Sequence, residues 1–365
     1  MWDLPTRVFH WTLVVAVSAA LVTGFFLLPQ ALDPHLTAGG IVALLVLFRV
    51  LWAFLGSGPS RLSAALFSPR RILDRLRGRD HARYLGHNPL AGLVLALVVV
   101  ALGALVVTGL IVLGGEEQRG PLRAWLPWSV GSSGKEVHEF LAWALVAGIV
   151  LHLAGLLHEG RTRREPLARS MITGRRRANP SGILPAPARA RTPLALLLLA
   201  ALSLSVGLGA RELAQLPPSG WRSLESEPAY AAFEAECGTC HTLYHPSLLP
   251  AASWTLMMAT LDEHFGEDAS LSQSKAEPIT SLLADNANAT WDTEAANRLR
   301  TPPVPPPLAV TELPWWKHRH AAVLEEAERT PSLGSPGNCE ACHPDAVAGR
   351  FAGELIHPPV PETPR

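Results

Sequence analysis

Two patterns of apolar and polar positions divide the chain. Up to about residue 210, long apolar runs alternate with short polar segments, and beyond residue 211 the apolar positions are interspersed with charged and polar ones. A helix that spans a bilayer needs about 20 apolar residues. The runs that reach or approach that length are 9–28, 35–56, 89–113, 135–158 and 193–210. The pattern therefore predicts five membrane spans followed by a domain outside the lipid.

The first apolar run also has the features of a signal peptide. It is longer than a usual signal-peptide core, and it ends in FFLLPQ rather than in a small-residue cleavage site. We therefore predict that it is a retained membrane helix.

Positive charge predicts the orientation of these spans. The loop between the second and third spans carries seven arginines from Arg61 to Arg83, and the loop between the fourth and fifth carries nine from Arg161 to Arg191. Loops rich in Lys and Arg stay on the cytoplasmic side. This orientation predicts a cytoplasmic N-terminus. It predicts that residues after 211 lie on the outer side of the membrane, which is the periplasm in a Gram-negative bacterium.

Four histidines lie within the spans. His138 and His152 are fourteen residues apart in the fourth span, which is four helical turns less roughly 40° and about 21 Å along one face. In the predicted orientation, His10 of the first span lies at the depth of His152, and His35 of the second span at the depth of His138. Two histidine pairs, one in each leaflet, are what two b-type haems need from a helical bundle.

Each of these side chains could instead have a structural role or be solvated. A single intramembrane histidine is often a hydrogen-bonded structural residue, and His35 is close to the membrane boundary. His81, His87 and His158 lie in or beside the arginine-rich loops, where solvated side chains are expected. Arg49, near the inner end of the second span, fits either a haem propionate or a snorkelling side chain.

The amino-acid composition narrows the possible functional classes of this protein. The chain has 365 residues, 48% of them hydrophobic, which is too apolar for an ordinary soluble enzyme of this size. The net charge is zero, and placing the arginines at the inner membrane surface leaves no basic patch for nucleic acid. We find no Ser-His-Asp set, phosphate-binding loop or metal-hydrolase motif.

The second part of the chain carries two copies of a C-x-x-C-H motif. CGTCH occupies 237–241 and CEACH occupies 339–343, and together they contain every cysteine in the chain. This pattern attaches a c-type haem through two thioethers and supplies the next histidine as proximal ligand. A redox or zinc half-site is the alternative, but zinc does not require a histidine after each pair. The predicted residues are Cys237, Cys240, Cys339 and Cys342 for attachment, with His241 and His343 as proximal ligands.

The sixth ligand of the first haem has several candidates. His245 follows His241 by only four residues and precedes a proline, so it is poorly placed to reach the opposite face. Met257 and Met258 belong to WTLMMATL, an apolar helical pattern that is typical of core packing. His264 is therefore our choice.

For the second haem, His318, His320 and His357 compete, and we choose His320. The segment between the two motifs includes TPPVPPP, which predicts a stiff extended connection. Residues 211–230 are polar and read as the tether from the membrane.

The first half resembles a known family. WDLPTRVFHW, LFRVLWAFLG, ARYLGHNPLAG and VHEFLAWALVAGIVLH are similar to the bacterial cytochrome b561 family, which includes the cytochrome b subunits of nickel-iron hydrogenases. The resemblance covers about residues 1–180. It implies four helices that hold two haems b, with a quinone site on one side of the membrane. The residues that match the family's ligands are His10, His35, His138 and His152.

The second half resembles the periplasmic dihaem cytochrome c family. The similar segments are CGTCHTLYHPSLLPAASW, LDEHFGEDASLS, LPWWKHRH and NCEACH, within roughly 230–355. The resemblance implies bis-histidine haems with His264 and His320 as sixth ligands. KHRH holds a second histidine, so His318 stays an alternative.

Together these patterns predict an all-α protein. Residues 1–180 form a membrane bundle with a four-helix dihaem b core, 181–229 hold the fifth span and linker, and 230–357 form a mostly helical domain with two covalently attached haems c. We expect electron transfer between quinone and a soluble periplasmic cytochrome or other redox protein, chiefly as quinol oxidation, in a chain surrounded by membrane lipid. Bis-histidine c haems tend to low potential, so the reverse direction is also open. The alternatives are an anchor and relay subunit of a larger oxidoreductase such as a hydrogenase, and an electron store or sensor.

Overall fold

The structure, a computed structural model, divides into two compact units. The first comprises Met1–Val112 and Ser133–Gln215, and the second comprises Leu113–Ser132 and Leu216–Arg365. The structure describes residues 3–28, 31–56, 67–80, 88–163, 167–174, 191–213, 215–216, 219, 222–300, 305–327 and 335–357. The predicted positions His81 and His87 lie outside these residues.

Helices build the first unit. They are α1 (Leu4–Val22, continued by a π-helical turn Thr23–Leu27), α2 (Leu32–Leu55), α3 (Pro69–Leu76), α4 (Pro89–Gly115), α5 (Trp128–Arg163), α6 (Leu167–Thr173) and α7 (Thr192–Leu213). Among the described residues, five helices are long and apolar enough to cross a membrane, and they match the five predicted spans. The prediction of a membrane bundle is therefore confirmed. The fourth span is longer than predicted, because α5 extends through polar turns at both ends.

Local sequence explains where these helices begin. The Asp3 carboxylate accepts a hydrogen bond from Thr6 N at 2.9 Å, and Pro5 occupies the first turn, where its missing N–H costs nothing. Ser68 caps the short helix α3 in the same way, through Arg71 N at 3.5 Å.

The interior of the first unit is narrow. One cluster of buried side chains comprises Ala16, Val17, Val42, Leu102 and Leu145. A second joins Phe48 and Trp52 of α2 to Ala195 of α7. Large apolar side chains such as Phe26, Phe54 and Phe140 are exposed on the outside. Helices that are apolar on all faces are typical of a bundle surrounded by lipid.

The second unit is built from short helices and turns. Its helices are α8 (Tyr230–Cys237), α9 (Ala251–Ala259), α10 (Gln273–Asp285), α11 (Glu294–Arg298) and α12 (Pro314–Ala327). In the described part of the chain, the only extended pairing is an isolated bridge between His264 and Glu267. The mostly helical fold predicted for this region is confirmed.

Aromatic and aliphatic side chains form one core in the second unit. Trp254, Ile279, Leu283 and Trp291 lie at its centre and are almost completely buried. Two buried polar side chains of this core are hydrogen-bonded to backbone carbonyls: Trp254 Nε1 donates to Pro246 O at 2.8 Å and Asn288 Nδ2 donates to Leu299 O at 2.7 Å. These bonds hold irregular backbone in place between the helices.

Candidate haem sites

The structure brings His35 and His138 together within the first unit. Their ring centroids are 6.3 Å apart and their planes are inclined by 75°. Two imidazoles bound to one iron have centroids about 6.2 Å apart, since each contributes a metal–nitrogen bond of about 2.0 Å and roughly 1.1 Å within the ring. The spacing of this pair therefore fits a haem iron between the rings.

Hydrogen bonds fix the tautomer of both rings. His35 Nδ1 lies 3.1 Å from Ala20 O and 3.1 Å from Thr23 Oγ. His138 Nδ1 lies 2.9 Å from Thr108 Oγ, which itself donates to Ala104 O. A carbonyl only accepts, so the hydrogen belongs on Nδ1 and the lone pair on Nε2. Nε2 is then the nitrogen available to a metal.

Two glycines follow those threonines and admit the rings. A Cβ on Gly24 would lie 3.1 Å from His35 Cε1, and one on Gly109 would lie 3.3 Å from His138 Cε1. Sequence reasoning missed both threonines and both glycines. The available signal was a repeated Val-Thr-Gly, at 22–24 in the first span and 107–109 in the third.

His10 and His152 are the second predicted pair of the first unit, and the side chain of His152 is exposed. They lie close enough to interact electrostatically. His10 Nδ1 is buried and has no hydrogen-bond partner among the described residues, and its ring meets Trp11 edge-on at 5.2 Å. A buried ring nitrogen without a partner fits a site that receives a further group.

Helix α6 packs on the side of α1 that carries His10. Arg7 Nη1 donates to Ile172 O at 2.6 Å, and Trp11 Nε1 donates to Met171 O at 3.3 Å. These contacts span about 160 residues of sequence, so no local pattern indicated them.

The first C-x-x-C-H motif begins at the end of α8. Gly238 N donates to Glu234 O at 3.0 Å and ends the helix directly after Cys237. His241 stacks opposite His264 with centroids 6.2 Å apart and planes 23° apart. His241 Nδ1 donates to Thr242 O at 2.7 Å, so its Nε2 is free. This pair has the spacing that a single iron requires.

A tight turn presents His264. Phe265 and Gly266 have φ values of 55° and 94°, and the turn closes with His264 N donating to Glu267 O at 2.8 Å. Burial, and then the nearby His241, lower the pKa of His264, which favours the neutral imidazole that ligates a metal.

The second motif faces helix α12. His343 and His320 have ring centroids 6.3 Å apart. His320 Nδ1 donates to Trp316 O at 2.9 Å, and its ring stacks on Trp316 at 4.4 Å. His318, two residues earlier, is exposed, and so is His357. The geometry favours His320 as the residue opposite His343.

The remaining candidates near the first motif have other contacts. His245 is buried, its Nδ1 lies 2.7 Å from Ser247 Oγ, and its ring meets Trp291 edge-on at 4.5 Å. Burial, and then the charge of Arg222, lower the pKa of His245 to about 4. Met257 and Met258 are half-buried and pack against the core. None of the three takes the place of His264.

The two motifs are hydrogen-bonded to each other. Thr242 Oγ1 donates to Glu340 Oε2 at 2.9 Å, and Tyr244 OH donates to Gly337 O at 2.8 Å. A Cβ on Gly337 would lie 2.5 Å from that hydroxyl, so a larger residue there would displace the Tyr244 side chain. The spacing of the motifs along the chain did not indicate these contacts.

Two of the cysteines are in surroundings that disfavour a thiolate. Burial raises the pKa of Cys237 and of Cys339 to about 11. Among the described residues, no three His, Cys, Asp or Glu side chains converge as metal ligands. A tetrahedral zinc site needs four converging ligands, so the structure favours haem attachment over the zinc alternative.

Histidines paired at the spacing of axial ligands, one such pair lying within apolar helices, together with two C-x-x-C-H motifs, define a membrane-bound multihaem cytochrome. Residues 1–174 match the sequence model of the prokaryotic cytochrome b561 family, and residues 233–351 match that of the dihaem cytochrome c family. The chain belongs to both families, as a cytochrome b561 domain joined to a dihaem cytochrome c domain. It is an integral membrane electron-transport protein that binds two haems b and, through its cysteines, two haems c.

Relatives of the first half are described as hydrogenase cytochrome subunits. A "Probable Ni/Fe-hydrogenase B-type cytochrome subunit" of Bradyrhizobium diazoefficiens is 26% identical over 210 residues, which cover 48% of this chain and 85% of that protein. The protein of the same description from Azotobacter vinelandii is 27% identical over 208 residues, which cover 48% of this chain and 86% of that one.

Solved structures resemble the second half. A dihaem cytochrome c from Rhodobacter sphaeroides is 40% identical and covers 33% of this chain and 95% of its own, with a TM-score of 0.28. A dihaem cytochrome type c from Shewanella baltica OS155 is 29% identical and covers 36% of this chain and 94% of its own, with a TM-score of 0.30.

Proposed function

We propose that this protein carries electrons between the quinone pool, at its haems b, and a redox protein outside the membrane, at its haems c. Quinol oxidation is the direction we favour. The single observation that carries the proposal is the presence in one chain of histidine pairs with the spacing of axial ligands, both within the membrane helices and at the two attachment motifs.

The proposed ligands follow from these pairs. Bound haem supplies one-electron oxidation and reduction at its iron. The protein's own groups hold four of these imidazoles, those of His35, His138, His241 and His320, with the hydrogen on Nδ1, through Ala20 O, Thr108 Oγ, Thr242 O and Trp316 O. The axial pairs are His10 with His152, His35 with His138, His241 with His264, and His320 with His343.

Orientation is a second part of the proposal. The arginine-rich loops favour a cytoplasmic N-terminus, and the attachment motifs then lie in the periplasm. Covalent attachment of haem to C-x-x-C-H takes place on that side, which supports the same orientation. The partner we expect is a soluble periplasmic cytochrome or another small redox protein.

Purified full-length protein in detergent tests the function directly. A pyridine haemochrome should give two b and two c haems per chain. An anaerobic quinol analogue should reduce the b bands first and the c bands afterwards. A single b haem would remove the paired-ligand assignment in the membrane, and failure of the quinol analogue to reduce any haem would remove the independent quinol-oxidase proposal.

A second candidate function rests on the relatives of the first half. Their descriptions as nickel-iron hydrogenase cytochrome subunits favour a relay subunit that works only within a larger complex. In that case, haem reduction in detergent should require an added partner and its substrate. Affinity purification from native membranes, followed by mass spectrometry, should then recover stoichiometric enzyme subunits with the chain.

A further inference from the structure

The loop between α4 and α5 folds with the second unit. Ser219, in the segment that leads into this unit, donates through its N to Arg123 O at 2.7 Å and through its Oγ to Leu126 O at 2.7 Å. Arg123 Nε donates to Leu216 O at 2.6 Å. We call the second unit the haem c unit, because it carries both C-x-x-C-H motifs. Leu113–Ser132 is therefore hydrogen-bonded to the segment that leads into the haem c unit, although in sequence it lies between two membrane spans.

Asp292 is the central acceptor for this loop. Its carbonyl oxygen accepts from Gln118 Nε2 at 2.7 Å, and its carboxylate Oδ2 accepts from Trp128 N at 2.8 Å. The other carboxylate oxygen accepts from Asn297 Nδ2 at 3.0 Å. All three oxygens of this residue are used, and Gln118 is buried, so the arrangement has little freedom.

The hydrogen bond from Trp128 N to Asp292 caps a helix, because Trp128 is the first residue of α5. The first N–H groups of a helix have no partner within the helix, and a carboxylate there both caps the helix and interacts favourably with its dipole. A cap usually comes from the residue just before the helix. That residue is Pro127, which has no side-chain acceptor, and the cap comes instead from 164 residues further along.

A second contact holds the same turn. The Arg298 guanidinium lies 5.1 Å from the centre of the Trp128 ring, within the range of a cation–π interaction. Trp128 is itself buried. The first turn of α5 is thus held by two side chains of the haem c unit.

We propose that Asp292 is a positioning residue for electron transfer between the b and c haems. Helix α5 begins in the second unit and carries His138 and His152 in the first. By capping α5 ten residues before His138, Asp292 ties the ligand helix to the haem c unit and sets the rate of electron exchange between the two kinds of haem. The inference rests on the proposed electron path.

The test compares full-length wild type with Asp292→Ala. Hydrogen–deuterium exchange at the first turn of α5 and along 113–132 should become about tenfold faster, the size expected for one lost charged cap. Electron equilibration between the c and b bands, followed after rapid mixing with a small reductant, should slow several-fold, while the haemochrome still gives four haems. Asp292→Asn keeps one side-chain acceptor oxygen, which can still cap the Trp128 N–H, and should restore part of both values. Asp285→Ala, which removes an exposed carboxylate of the same unit, should change neither.

Each result decides one claim. Faster hydrogen exchange with an unchanged c-to-b rate would overturn the positioning role and leave the electron path intact. Absence of any c-to-b equilibration in the wild type would remove the electron path and the positioning role with it. If Asp292→Ala loses haem, Arg298→Ala provides the same test with the cap still present, and an unchanged rate there together with faster hydrogen exchange would again overturn the role.

Discussion

The membrane unit and the haem c unit place histidine pairs at the same separation by different means. His35 and His138 lie 6.3 Å apart, as do His320 and His343. In the membrane unit, threonine hydroxyls hold the rings and glycines admit them. In the haem c unit, backbone carbonyls and aromatic stacking hold the rings, next to cysteines that bind haem covalently.

The difference follows from how each environment satisfies the backbone. Inside a membrane helix nearly every carbonyl is already hydrogen-bonded within the helix, so a ring nitrogen needs a side-chain partner or a local irregularity. The π-helical turn at Thr23–Leu27 is such an irregularity, next to the residues that contact His35. A noncovalent haem also depends on preset ligands more than a covalently attached one does.

Removing one membrane ligand should have the largest effect. His138→Ala should abolish the haem b proposed for His35 and His138, because no covalent bond holds it, and the haemochrome should change from two b and two c to one b and two c. His158→Ala, on the exposed end of the same helix, is the matched control and should keep all four haems. Retention of both b haems in His138→Ala would contradict the pairing.

The equivalent change in the haem c unit should be milder. His320→Ala should leave the second haem c attached through Cys339 and Cys342, with altered ligation that is visible in the Soret band and in electron paramagnetic resonance. His318→Ala should leave both spectra unchanged, because that side chain is exposed. The opposite pattern would transfer the sixth-ligand role to His318.

Acid should destabilise the haem c unit through His245. Its folded-state pKa of about 4 lies below the ordinary 6.5. Between pH 6.5 and 4 the unfolded chain therefore binds a proton at this histidine and the folded chain does not. The free energy of unfolding decreases as the pH drops through this range. The loss attributable to this residue is about 3 kcal/mol at completion. Urea midpoints at pH 7.5 and 4.5 measure it.

His245→Gln isolates the contribution of this residue to the pH dependence of stability. Glutamine keeps an acceptor for Ser247 but cannot gain a proton, so the variant should lose less stability than the wild type between the two pH values. Equal losses in both proteins would show that His245 does not contribute.

The smallest effect should come from the hydroxyl behind a membrane ligand. Thr108→Val removes the partner of His138 Nδ1 and should weaken binding of the haem b proposed for His35 and His138 by about tenfold, the lower end for loss of such a partner. Thr108→Ser keeps the hydroxyl and should behave as wild type. Haem retention during dilution in detergent measures the difference, and equal retention in Thr108→Val would show that the glycine and helix contacts suffice.

Short stretches of sequence were enough to predict the membrane spans, the haem-attachment motifs and the candidate haem ligands. The spans follow from apolar length, because a helix in lipid must satisfy its own backbone. The attachment motifs follow from five adjacent residues each. The depth match of His10 with His152 and of His35 with His138 needed only helix geometry and loop charge. The ligand assignments themselves stay predictions.

Only the tertiary structure decided the contacts between distant segments. It placed Thr108 against His138 across 30 residues, His320 rather than His318 opposite His343, and Asp292 at the first turn of α5 across 164 residues. The sequence determined which groups are present and which local element carries each. Hydropathy and motif spacing are patterns within tens of residues at most. These pairings depend instead on how separate helices and loops pack, and that packing is a property of the whole fold.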